Sequence, residues 1–297
     1  MPEVTNPFRE ASSYSKNAIT AYKILTPISW LVLVITSIYY AFEAPHEGKY
    51  HRRTIWSQNS HHHTPFALNR IIVSIYWVVL YILQVPYLAS LFQTDNASVT
   101  LTTALNLAPW FISNNLLLFG FIHLWCRSYF WWALLLVVIN FIPLTMAYFR
   151  YSPKLSGDSR PAILTHFGVL AGPLAWSFVA LYWDGAAAVH AHHFAARVVA
   201  NIFIWTWAVY GGFYLIVFKD WAMGFCLSVL TAALGVSQFL TVIVAVQWIE
   251  AFTIMALLFV ATVGVAAPGV FGKDVKRGGV VSEDRERAPL LAGGESV

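Results

Sequence analysis

The chain has 297 residues, 58% hydrophobic and only 11% charged, where a soluble domain carries about 25% charged residues. A surface this poor in charge excludes an ordinary water-soluble protein, and with a mean hydropathy of +0.62 the bilayer is the expected solvent. The net charge of +4 is spread over helix ends and tails, which suits membrane orientation and excludes nucleic acid as a partner.

Residues 1–18 are polar, hold no apolar core of a cleavable signal, and read as a disordered cytosolic head. The first apolar stretch covers residues 21–42 and contains Pro27. It is followed by a loop over residues 43–69 with His46, Glu47, His51 and the run His61-His62-His63. A loop this long is functional or disordered. The second stretch, residues 70–92, has no charge after Arg70. A helix needs about 20 apolar residues to cross roughly 30 Å of hydrocarbon, and this run supplies them. The third and fourth stretches cover residues 102–125 and 129–149. The fifth, 161–183, includes His166 and Pro173 and leads to a second histidine cluster, His190, His192 and His193. The sixth covers 197–218 and ends at the tight link Lys219-Asp220. Residues 221–270 are too long an apolar run for one helix and right for two, divided between 235 and 247. Residues 271–297, rich in glycine and charge, read as a disordered cytosolic tail. The expected fold is therefore all-α: a polytopic integral membrane helical bundle of about eight transmembrane helices over residues 19–270. No internal repeat is visible.

Lys and Arg are about twice as frequent on the side holding the N-terminus as on the other, which places both termini in the cytosol. One feature opposes this orientation: Asn96-Ala-Ser98 is a glycosylation sequon on the side assigned to the cytosol. Cys126 and Cys226 fall toward opposite ends and form no disulfide framework.

Four groups of residues are candidates for function. Trp77, Tyr81 and Gln84, spaced by four and three, share one helix face. Flat aromatics inside a bundle line cavities for flat apolar ligands as well as packing the core. Trp125, Trp131, Trp132, Trp183 and Trp221, at the ends of stretches, fit an aromatic belt at the membrane surface. The polar residues within apolar stretches, Gln84, Asn114, Asn115, Asn140, His166, Asn201, Gln247 and Glu250, are expected to bond between helices. Glu250 is the ion or proton candidate among them, as an intramembrane carboxylate. His61, His62, His63, His190, His192 and His193 all lie on the non-cytosolic side and are the candidate metal ligands, one or two from each loop. Their spacing is not that of the histidine boxes of membrane desaturases. Glu286, Leu290 and Leu291 match the acidic dileucine pattern read by cytosolic sorting adaptors.

The run Ser74-Ile-Tyr-Trp77-Val-Val-Leu-Tyr81-Ile-Leu-Gln84, preceded by Pro65-Phe66, resembles a segment of the extended tryptophan-rich sensory proteins, long relatives of the translocator protein. Ala108-Pro-Trp110-Phe-Ile-Ser-Asn114 resembles a segment of the next helix of that group. The layout over residues 20–270 is similar to a fungal family of multi-pass membrane proteins of unknown function. The translocator resemblance implies a helical bundle with a cavity for porphyrins, sterols or similar molecules, touching Trp77, Tyr81, Gln84, Trp110 and Asn114.

The expected function is non-enzymatic: binding or moving a small apolar ligand in an aromatic-lined cavity of an endomembrane protein, in the endoplasmic reticulum, endosome or vacuole rather than the mitochondrion. The alternatives are a cation or metal transporter or channel using Glu250 and the exterior histidines, and a ligand-free membrane scaffold. No nucleophile–base pair marks an enzyme. The cofactor is unknown. The expected partners are membrane lipids, an apolar ligand and a sorting adaptor.

Overall fold

A computed structural model describes residues 8, 14–47, 52–93, 99–155, 160–241 and 245–271. The sequon at Asn96, the sorting pattern at Glu286, Leu290 and Leu291, and the tail lie outside the described residues, as does most of the head.

Every regular element among the described residues is helical, and eight helical segments are long and apolar enough to cross a membrane. α1 (Lys16–Phe42) starts where the Ser15 side chain accepts the Ala18 N–H. A short helix, α2 (Ile55–His61), is capped by Thr54. α3 (Arg70–Ser90) is capped by Asn69, whose side-chain oxygen accepts the N–H groups of Ile71 and Ile72. α4 (Val99–Cys126) and α5 (Phe130–Leu155) are joined by a tight turn with Ser128 in the left-handed region, φ 64°. α6 (Arg160–Thr165), a π-helical segment (His166–Ala171) and α7 (Gly172–Ala188) form one continuous span. α8 (Phe194–Phe203) and α9 (Trp205–Val217) form the next. α10 (Trp221–Thr241) and α11 (Ala245–Phe271) complete the chain, with their junction, residues 242–244, outside the described residues.

α7 is the axis of the bundle, buried along nearly its whole length. α4 packs against α5 and α1, α5 against α7, and α10 against α11. Large apolar side chains face outward on several helices, among them Ile24, Ile28 and Ile35 on α1, Ile75 and Ile82 on α3, and Val260 on α11. Such a continuous apolar exterior is stable against hydrocarbon and not against water.

The π-helical segment has a local cause. Pro173 has no N–H to give to the preceding turn, and the backbone widens there so that the Gly172 N–H bonds to the Phe167 carbonyl. Two carbonyls at the widening accept from α3: Gln84 Nε2 donates to the Gly168 carbonyl (2.9 Å), which the shifted Gly172 N–H leaves open, and Tyr76 OH to the Gly172 carbonyl (2.7 Å). Gly168 is required for this approach, because a Cβ there would sit 2.8 Å from the Leu83 carbonyl oxygen.

The described part of the 43–69 loop departs from a free segment. It folds back as a plug in the end of the bundle remote from the start of α1, here called the far end. Thr64, Pro65, Phe66, Ala67 and Leu68 are all buried. Their backbone is irregular, so its polar groups need partners. Asn59 bonds Leu68 through both N–H and carbonyl, Gln238 Nε2 donates to the Thr64 carbonyl (3.2 Å), Gln247 Nε2 to the Pro65 carbonyl (2.6 Å), and Arg197 to the His63 carbonyl.

Candidate functional site

Beneath this plug, α1, α2, α3, α4 and α7 enclose a cavity of about 210 Å³. Trp77 and Tyr81 of α3 form one wall, Phe121 and Trp125 of α4 another, Trp176 and Trp183 of α7 the back, and Trp56 of α2 the roof. The rings interlock edge to face: Trp77 to Trp176 at 5.5 Å and Trp176 to Trp183 at 5.6 Å between centroids. Two indoles spend their N–H groups outside the space, Trp125 on the Ile55 carbonyl (3.2 Å) and Trp183 on Asn59 Oδ1 (2.7 Å). Tyr81 OH donates to Ser37 Oγ (2.8 Å). The walls therefore present mainly apolar ring faces. Ile38, Phe42 and Val78, at 55%, 80% and 56% exposure, stand at a sideways mouth between α1 and α3 that faces the apolar exterior.

The structure brings Trp77 and Tyr81 to this cavity and places Gln84, Trp110 and Asn114 elsewhere. Gln84 is fully buried, with its Oε1 accepting Trp30 Nε1 (2.8 Å) and its amide N–H held by Gly168. Trp110 is buried on α4 against Phe8, with ring centroids 4.8 Å apart. Asn114 belongs to an amide cluster in the bundle core: Asn140 Nδ2 donates to Asn114 Oδ1 (3.0 Å) and Ser177 Oγ (3.1 Å), and Asn114 and Asn115 extend the cluster to Ser29 on α1. Two belt expectations are corrected. Trp125 and Trp183 are 1% and 2% exposed and line the cavity, because α2 covers them; Trp131 and Trp132, at 62% and 63%, remain outward at a helix end.

The histidine loops meet at the far end. The His62 ring lies 5.0 Å from His61 and stacks on His192 at 5.8 Å, and His190 is 6.2 Å from His192. The His63 carbonyl holds Arg197, and His193 precedes α8 at its cap. Among the described residues no group of three His, Cys, Asp or Glu side chains is placed to hold a metal ion. Burial lowers His62 to about 4, assisted by His61, His192, Arg53 and His190, and burial lowers His192 as well. Both shifts favour the neutral imidazole at His62 and His192. Glu250 is half-buried near the start of α11; its carboxylate faces the Trp205 side chain and its Oε2 has no hydrogen-bond partner.

A second polar cluster was not visible as a site in the sequence. At the near end, Asp220 Oδ2 meets His166 Nε2 at 2.8 Å and accepts Tyr148 OH at 2.5 Å, while Oδ1 accepts the N–H groups of Ala222 and Met223. His166 reads on its own as an isolated polar residue in a span, and Asp220 as part of a link. Nothing local in the sequence joins them to Tyr148. Asp184 of α7 is fully buried, and neither of its carboxylate oxygens has a partner among the described residues.

Residues 197–291 are similar to a family described as a fungal protein of unknown function (DUF1774). The stretch runs from α8 through α11 and into the tail, less than half of the chain. No curated protein and no solved structure matches the chain. The fungal likeness thus has support, and the translocator-like resemblance has none from these comparisons.

Proposed function

We propose that this is a multi-pass membrane protein that binds or moves a small apolar ligand in the cavity beneath the far-end plug, without covalent chemistry. One observation carries the reading: a space walled by ring faces has a sideways mouth among lipid-facing residues, so an apolar molecule can enter from the bilayer without crossing water. Ligand sites are concave, largely apolar and few per protein. At about 210 Å³ the space is below the roughly 300–1,000 Å³ of a drug-sized site. It suits one narrow chain or a small ring system better than a whole porphyrin. The charge bias supports cytosolic termini, and the tail pattern at Glu286, Leu290 and Leu291 supports adaptor-mediated sorting within the endomembranes.

Native mass spectrometry of the full chain in mild detergent tests this. The expected result is a stoichiometric adduct that is lost in Ser74→Phe, which fills the space from its α3 wall. A clean apo mass after incubation with total membrane lipid extract, or an adduct indifferent to Ser74→Phe, would count against it.

A second reading, a proton- or cation-linked transporter, is favoured by the buried carboxylates Asp184 and Asp220 together with Glu250. Glu250→Gln and Asp184→Asn should then each reduce proton-driven uptake in liposomes. Unchanged uptake in both removes the reading.

A further inference from the structure

The apolar cavity adjoins a second, more polar recess at the far end. The recess is about 600 Å³ and shares Ala41, Phe42, Trp56 and Ser74 with the cavity as common walls. Its other lining is mixed: the hydroxyl side chains Thr54, Ser57 and Ser60 and the Arg70 guanidinium, with Ile71 and Ile75 on the bilayer side. Neither space is lined by an Asp or Glu. The acidic side chains of the adjoining segment are engaged elsewhere, Glu47 with Arg52 and Arg127 and Glu43 with His46. Arg70 has no ion-pair partner among the described residues. It is exposed, directly above the outward-facing Ile71 and Ile75, and so stands at the level where hydrocarbon gives way to headgroups. A guanidinium with hydroxyls around it fits a carboxylate or phosphate oxygen.

Resting on the cavity reading above, we infer that the ligand is a monoacyl lipid with an anionic headgroup, its head held by Arg70 and the hydroxyls of Ser57 and Ser60 and its chain passing Ser74 into the tryptophan-lined cavity. The small volume of the inner space argues for one chain rather than two. The sideways mouth allows the far end of a long chain to remain in the bilayer. The two spaces have complementary chemistry, apolar within and cationic at the rim, in the order an amphipathic molecule at the membrane surface would need.

The test measures binding of radiolabelled oleate and of oleyl alcohol, which has the same tail and no charge, to the full chain in nanodiscs of neutral phospholipid. The wild type is expected to bind oleate about tenfold tighter than the alcohol, the worth of one charge-assisted hydrogen bond. Arg70→Gln should erase that difference by weakening oleate binding. Ser74→Phe, checked for an unaltered melting profile, should weaken both. If wild type binds the two equally and Ser74→Phe weakens both, the headgroup site is overturned and the apolar cavity stands. If oleate is preferred but Arg70→Gln leaves the preference intact, the assignment to Arg70 is overturned. If neither probe binds, the monoacyl inference fails, and the lipid-extract adduct decides the cavity reading independently.

Discussion

His166 Nε2 lies 2.8 Å from Asp220 Oδ2, joining two residues 54 positions apart. His166 opens the π-helical segment, and Asp220 caps α10 through the Ala222 and Met223 N–H groups. Tyr148 of α5 reaches the same carboxylate oxygen. One side chain thus ties three of the long apolar helical segments together at the near end. It is set there by the turn at Lys219, which adopts φ 53°.

Removing Asp220 should therefore cost more than a helix cap. Asp220→Ala deletes the cap, worth about 1 kcal/mol, and leaves two buried polar partners unmatched at about 1–3 kcal/mol each. The expected loss is about 3–7 kcal/mol in denaturant unfolding in detergent micelles. Asp220→Asn keeps one oxygen for the cap and should lose less. Equal losses would show that the cluster at Oδ2, not the cap, carries the effect.

The same carboxylate should make the fold acid-sensitive. Burial pushes Asp220 up, but hydrogen bonds and charge from His166, then Tyr148 and the Met223 N–H, outweigh it and leave the group below the usual carboxylate range. Between that lowered value and the ordinary value of about 3.9, the unfolded chain binds the proton that the folded one refuses. Stability from this group is complete above the ordinary value and is lost as pH falls through the lowered one. Unfolding midpoints at stepped pH should show a loss below about pH 4 that is smaller in Asp220→Asn.

At the far end the sign applies to a histidine. His62 is lowered to about 4 by burial first and then by His61, His192, Arg53 and His190. An unfolded histidine protonates near 6.5, so between about 6.5 and 4 the unfolded segment holds the extra proton. Stability of the plug should fall as pH drops through that window. Hydrogen exchange at residues 54–69 should accelerate from pH 7 to pH 5, after correction for intrinsic rates, and His62→Phe should flatten the dependence. An equal acceleration in the variant would assign it to other groups.

The spans were legible because hydropathy alone reports them; even the division of residues 221–270 follows from length. The sites were not, because their chemistry is assembled across the chain. Trp125 and Trp183 sit at helix ends, where tryptophan ordinarily marks the interface, and only the fold of α2 over them makes them cavity walls. The plug is held by Gln238 and Gln247, residues 174 and 182 positions away from their acceptors. No local pattern encodes such pairings. Gln84 was legible as a polar residue on an aromatic face, but its bond to Gly168 depends on a π-helical widening that Pro173 alone does not announce.

Asp184 gives a substitution expected to stabilise. A fully buried carboxylate without partners carries an uncompensated desolvation cost, and a similar-sized apolar side chain removes it. Asp184→Leu should raise unfolding stability by about 1–3 kcal/mol. A loss instead would mean that a water or ion satisfies the carboxylate in the native membrane, and would draw attention to it as a functional group.

Two glycines separate close packing from helix propensity. At Gly168 an added Cβ meets the Leu83 carbonyl oxygen at 2.8 Å and the Gln84 nitrogen at 3.2 Å, both backbone atoms that cannot rotate away. Alanine there must push α3 from the π-helical segment, stretching the Gln84 and Tyr76 bonds that satisfy its carbonyls, at a cost of about 1–3 kcal/mol. At Gly264 of α11 nothing lies within 4 Å of the new methyl. Alanine at that position should stabilise by roughly 0.5–1 kcal/mol, the ordinary helix-interior difference. Because α3 also forms the cavity wall through Trp77 and Tyr81, Gly168→Ala should weaken ligand binding together with stability, whereas Gly264→Ala should leave binding unchanged. Melting both variants with and without ligand separates the effects; a Gly168→Ala protein with full stability would show that α3 and the π-helical segment are not in contact in the membrane.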